Sequence, residues 1–152
     1  MIRVRKSSTA DTRTCDWAKV TKEELRDSSL SHIADVQAAM AYFQKLITSA
    51  AMFHDSDKIG DIDGFHDDFR TGFETREWFK RHLAITRHHL GNPDGVPHNV
   101  TLIDVLEMVA DCVTAGMARS GSVYDLELPD ELLRTALKNT VDMLIKEVEV
   151  ID

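Results

Sequence analysis

Apolar residues recur along most of this chain at intervals of three and four, the spacing of one face of an α-helix. From Leu30 onward, Ile33, Val36, Met40, Phe43, Leu46, Ile47, Ala50 and Ala51 follow one such stripe. Thr21 and Glu24 precede it as a capping box, in which the hydroxyl accepts an amide and the carboxylate reaches back. Residues 56–74 are rich in Asp and Gly, with Gly60, Gly64 and Gly72, and predict a long functional loop or short turns. Thr75 is the expected cap of a helix carrying Trp78, Phe79, His82 and Ile85. The run Gly91-Asn92-Pro93-Asp94-Gly95-Val96-Pro97 then breaks the pattern. Thr101 with Asp104 opens the next helix, whose stripe is Leu102, Val105, Leu106, Val109, Val113 and Met117. Residues 119–129 form a connection, and Pro129 suits the first turn of a final helix through Leu132, Leu133, Ala136, Leu137, Val141, Leu144, Ile145 and Val148. No segment alternates convincingly with period two, and no internal repeat stands out. The expected fold is all-α, a compact bundle of five or six helices over residues 21–152 behind an N-terminal arm of residues 1–20.

Composition narrows the function classes. At 152 residues, 43% hydrophobic and 29% charged, the chain is an ordinary globular domain able to bury a core. Its net charge of −8 argues against nucleic acid as the main ligand. Cys15 and Cys112 are too few for a disulfide framework and lack zinc-type spacing. The first residues hold no apolar signal segment, and no apolar run approaches the roughly 20 residues of a membrane helix. A cytoplasmic protein without membrane association is expected. The apolar faces of the long and final helices make a homodimer reasonable.

The candidate chemistry lies in histidines and acids. His54-Asp55 ends an apolar segment, SAAMFHDSDK, and His88-His89 stands just before the Gly/Pro break. Asp111 sits inside the apolar stretch MVADCV, where a carboxylate is costly unless something positive meets it. Glu107 is one turn earlier on the same face, placed to bind a metal, orient a histidine or pair with an arginine. His82 and His98 read as structural or surface residues. The run from Asp55 to His66 is not a calcium loop, because Ile59 and His66 stand where oxygen ligands belong.

The order His32, His54-Asp55, Asp111 resembles the H…HD…D pattern of the HD-domain superfamily of metal-dependent phosphohydrolases. His54-Asp55-Ser56-Asp57-Lys58 is similar to the HDxxK form of the doublet. His88-His89 followed by Asp94-Gly95-Val96-Pro97 resembles the middle of the cyclic-dinucleotide-cleaving branch. The stretch from about Val20 to Val150 is also similar to small HD-like proteins encoded by phages and bacteria. The resemblance implies a helical HD-type domain holding one or two divalent metals per chain, drawn from Mn, Co, Fe, Ni, Zn or Mg. His32, His54, Asp55, His88, His89 and Asp111 would be ligands, with His66 and His82 as further candidates for a second metal. It implies hydrolysis of a nucleotide or other small phosphate ester by metal-activated water. Asp55, Asp57 and Lys58 would then be catalytic, and Lys58, Arg87 and Arg119 would bind phosphate. In some members an acid stands where this chain has Lys58, and Asp57 is the available substitute.

One geometric conflict accompanies this assignment. His32 and His54 are 22 residues apart with no Gly or Pro between them. On one continuous helix, a rise of about 1.5 Å per residue separates them by roughly 33 Å. Either a turn near residues 44–49 folds the segment back, or His66, His88 or His89 replaces His32. His88 and His89, if helical, would face different ways. Two other readings accompany the hydrolase: a di-iron oxygenase of the HD type, and a non-catalytic helical binding protein with a structural metal.

Overall fold

The structure, a computed structural model, describes all 152 residues. It is mostly helical, with one small sheet. In chain order the elements are β1 (Ile2–Arg5), α1 (Lys22–Phe53), α2 (Ser56–Gly60), α3 (Ile62–Arg70), α4 (Glu77–Ile85), α5 (Leu102–Ser120), α6 (Asp130–Glu147) and β2 (Val148–Ile151). The all-α expectation holds. No helix is long and apolar enough to cross a membrane.

The chain divides into two compact units, one of Met1–Lys45 with Val141–Asp152, the other of Leu46–Thr140. In the first, the Thr21–Glu24 capping box starts α1: Glu24 accepts the Thr21 amide at 2.8 Å, and Thr21 Oγ1 accepts the Glu24 amide at 3.1 Å. β1 and β2 pair in parallel, with Arg3 opposite Glu149 and their side chains 3.1 Å apart. Both strands were unexpected. Each has four residues, too short for alternation to outweigh the helical stripe that runs into Val148. The Ile-Arg-Val-Arg pattern at residues 2–5 was the signal available.

In the second unit, Leu90, Val100, Met108 and Ala136 form the core, packed against by Val96, Leu102, Val105, Cys112, Leu128 and Leu132. Thr101 and Asp104 make the expected capping box of α5. The start of α5 is tied to α6, since Thr140 Oγ1 accepts the Leu102 amide at 2.9 Å and Asn139 donates to the Val100 carbonyl at 2.9 Å. The Asp/Gly-rich stretch is helical, forming α2 and α3. Asp61 caps α3 by accepting the Gly64 amide at 3.2 Å, so an acid read as loop-forming instead starts a helix. Thr75 does not cap α4. Arg76 occupies that place in the left-handed region, and the Thr75 hydroxyl donates to Asp68 at 2.7 Å.

Candidate metal centre

The end of α1 supplies the doublet. α1 runs unbroken to Phe53, so the tight turn near residues 44–49 is absent. His32 belongs to the other unit, with Nδ1 3.6 Å from Asp11 Oδ2. It is in neither of the groups that gather about His54 and Asp55. The turn comes instead at Asp55, which adopts the left-handed conformation (φ 50°, ψ 22°) and leads directly into α2. A non-glycine residue there costs on the order of 1 kcal/mol, and Asp is among the side chains that adopt this conformation most readily.

His88 and His89 lie in an irregular segment between α4 and α5, and both point into the site. Three features fix this segment. Arg87 closes a bidentate pair on buried Asp104, with Nε at 2.7 Å and Nη2 at 2.9 Å, and also donates to Asn99. Asn92 donates its amide to the His89 carbonyl at 3.1 Å. Gly95 packs beneath His89 so closely that a Cβ would stand 2.7 Å from that carbonyl oxygen, which excludes other residues there. The Arg87 guanidinium is therefore engaged in holding the histidine segment. Arg119 donates to the Ala115 carbonyl within α5 at 3.2 Å and is not drawn into the cluster.

The converging side chains form two groups that share Asp55. One is His54, Asp55 and His88; the other is Asp55, His82 and His89, and within each group the ligand atoms lie within 4.8 Å of one another. His88 Nε2 is 3.4 Å from Asp55 Oδ1, and His54 Nε2 is 3.7 Å from Asp55 Oδ2. Asp111 joins the edge of the first group, 3.7 Å from His54 Nε2. In the second, His82 Nε2 and His89 Nε2 are 2.7 Å apart, and His82 Nε2 is 3.7 Å from Asp55 Oδ1.

Outer carboxylates orient these rings. Asp57 Oδ2 is 2.8 Å from His82 Nδ1, and Glu107 Oε1 is 3.0 Å from His54 Nδ1. A carboxylate on Nδ1 fixes the tautomer and leaves the Nε2 lone pair facing inward. Glu107 Oε1 is also 3.0 Å from His88 Nδ1, but the alignment is too poor for a hydrogen bond. Asp57 thus acts through His82, and Glu107 through His54. Lys58 forms a hydrogen-bonded ion pair with Asp55 Oδ2.

The donor set fits a metal on an observation independent of the resemblance. Four buried polar atoms here have no hydrogen-bond partner: Asp55 Oδ1, Asp57 Oδ1, His88 Nδ1 and His88 Nε2. Each such group costs about 1–3 kcal/mol when left unmet. Two imidazole nitrogens bound to one metal at about 2.1 Å stand roughly 3 Å or slightly more apart, close to the His82–His89 separation. Electrostatics agree. Burial, then the neighbouring His88 and His82, hold His89 down at about 4, so it is neutral near pH 7. Burial alone would raise the Asp55 carboxyl; Lys58, His54 and His88 outweigh it and hold the group below its ordinary range. A neutral His89 beside an ionised Asp55 is the pair of protonation states a divalent cation requires of them.

His82, read from the sequence as a structural or surface residue and also as a further candidate for a second metal, lies in the second group. It is only 2% exposed and stacks on buried Trp78, with ring centroids 4.8 Å apart. Its spacing from Trp78 put it on the core face of α4, and nothing local distinguished a ligand from a packed histidine. His66 is exposed beside Asp67 and stays outside the cluster. The rule that adjacent histidines diverge failed because it assumed a helix at residues 88–89. No protein-family model matches the chain, and searches of curated proteins and of solved structures give no significant match.

Proposed function

We propose that the chain is a metal-dependent phosphohydrolase of the HD type, acting on a nucleotide or another small phosphate ester. The observation that carries this reading is the sharing of one half-buried carboxylate, Asp55, by two histidine groups, with Asp55 Oδ1 and His88 Nε2 left without a hydrogen-bond partner. His54, Asp55, His82, His88 and His89 would hold one or two divalent ions, with Asp111 at the edge. When bound, such an ion polarises a phosphoryl oxygen and makes hydroxide available from water near neutral pH.

The chain's own residues supply the rest. Glu107 and Asp57 keep His54 and His82 in one tautomer. Lys58 is the cation closest to the shared carboxylate and would meet a phosphate oxygen there. Reconstitution with Mn, Co or Zn, followed by phosphate release from nucleotides and p-nitrophenyl phosphate, tests the assignment. Release that needs metal and disappears in Asp55→Ala supports it. A metal-loaded protein inert toward the whole panel overturns it. The four converging histidines also suit iron. A protein that retains iron alone and consumes dioxygen belongs to the oxygenase reading, and one that is inert in both assays to a structural metal.

A further inference from the structure

Taking the chain as the phosphohydrolase proposed above, on which this rests, we infer that its substrate is a monophosphate ester of a hydrocarbon alcohol rather than a nucleotide. The hydrocarbon group would sit in a cavity of about 290 Å³ between α1 and α5. This cavity lies within the second unit and opens on the edge of the metal centre, where His54, Glu107 and Asp111 line it. Its other walls are Ile47, Ala50 and Ala51 from α1 and Ile103, Leu106 and Ala110 from α5. Three alanines keep open a space that larger side chains would fill.

The chemistry of the walls selects the occupant. No lysine or arginine lines the cavity. Thr114, the remaining lining residue, donates its hydroxyl to the Ala110 carbonyl at 2.8 Å, while Glu107 and Asp111 are carboxylates beside His54. No wall side chain is therefore left to donate to a base carbonyl or ring nitrogen. A nucleobase entering here would bury polar groups without partners, which is costly, whereas a hydrocarbon group gains by leaving water. A second cavity, of about 310 Å³, reaches the centre at His88, His89 and Asp111, and its other charged residues are Asp125 and Glu127. Further phosphates on the substrate would thus meet hydrocarbon on one approach and acids on the other. Lys58, paired with Asp55, is placed for a single phosphoryl group. An apolar cavity of about 150 Å³ holds benzene, so the space between α1 and α5 has room for an alkyl chain or a fused aromatic pair.

Calorimetric titration of the zinc-loaded full chain with methyl-, butyl- and octylphosphonate tests this, because phosphonates are not hydrolysed. Affinity is expected to rise by up to about fourfold per methylene carried into the cavity. Octylphosphonate should also shift the methyl resonances of Ile47 and Ile103, and methylphosphonate should not. Ala51→Leu combined with Ala110→Leu fills the cavity and should weaken octylphosphonate by about tenfold or more, with methylphosphonate affinity and zinc content unchanged. If that variant fails to fold, the wild-type series and the isoleucine shifts decide. Affinity independent of chain length, adenosine monophosphate bound more tightly than octylphosphonate, or a folded Leu variant that binds octylphosphonate as wild type does would overturn the proposal. Chain-length dependence in a protein that hydrolyses no ester supports the hydrocarbon cavity and overturns only the hydrolase reading. Phosphate release from p-nitrophenyl phosphate with flat phosphonate affinities overturns only the hydrocarbon cavity.

Discussion

Asp55 and Asp68 lie in the same unit, both largely withdrawn from water, yet their surroundings differ in kind. Asp68 is 5% exposed and saturated by its own chain: Thr75 Oγ1 donates at 2.7 Å, the Arg76 amide at 3.1 Å and the Phe79 amide at 3.1 Å. Burial alone would raise its carboxyl, but these donors outweigh that and hold it below the ordinary range. Its work is to fasten the end of α3 to the start of α4. Asp55 has one oxygen on Lys58 and the other on nothing, while His54, His82 and His88 turn ring nitrogens toward it. A structural acid is closed by donors from its own fold. An acid left with an unmet oxygen among histidine nitrogens is placed to hold a cation.

Substituting each acid should separate the two regions most sharply. Asp55→Ala is expected to lower bound metal at least a hundredfold, read by elemental analysis. In the metal-free state it should lower the denaturation midpoint less than Asp68→Ala does, since the removal of an unmet oxygen offsets part of the lost Lys58 ion pair. Asp68→Ala should behave oppositely, retaining metal and losing stability. Next in size, Asp57→Asn and Glu107→Gln should each weaken metal binding about 10–100-fold, because the rings they hold lose orientation. Arg87→Ala should cost about 2–3 kcal/mol in chemical denaturation by leaving Asp104 unpaired.

The smallest effect concerns pH. Because the folded His89 titrates at about 4 against an ordinary 6.5, the unfolded chain binds more protons between those values. Metal-free stability should therefore fall as pH drops from about 6.5 toward 4, and His89→Gln should flatten that part of the profile.

The same contrast explains what was legible from residues alone. His54-Asp55, His88-His89 and Asp111 stood out because polar groups interrupted apolar runs, and the structure gathers all of them. The capping boxes at Thr21 and Thr101 marked two helix starts because that pairing is local in sequence. The surroundings of His82 and Arg87 were not legible because they depend on contacts with Asp57, 25 residues away, and Asp104, 17 away. α3 was hidden by glycines that its Asp61 cap tolerates, and the two strands because they pair across almost the whole chain.

The central claim is that the Asp55-centred cluster is a metal site, and titration of Zn or Mn into chelator-stripped wild type at pH 7 tests it most directly. The account predicts saturable uptake approaching two ions per chain. It also predicts a stabilisation of about 2.7 kcal/mol when free metal is a hundredfold above Kd. No uptake and no shift in unfolding at micromolar metal would contradict it.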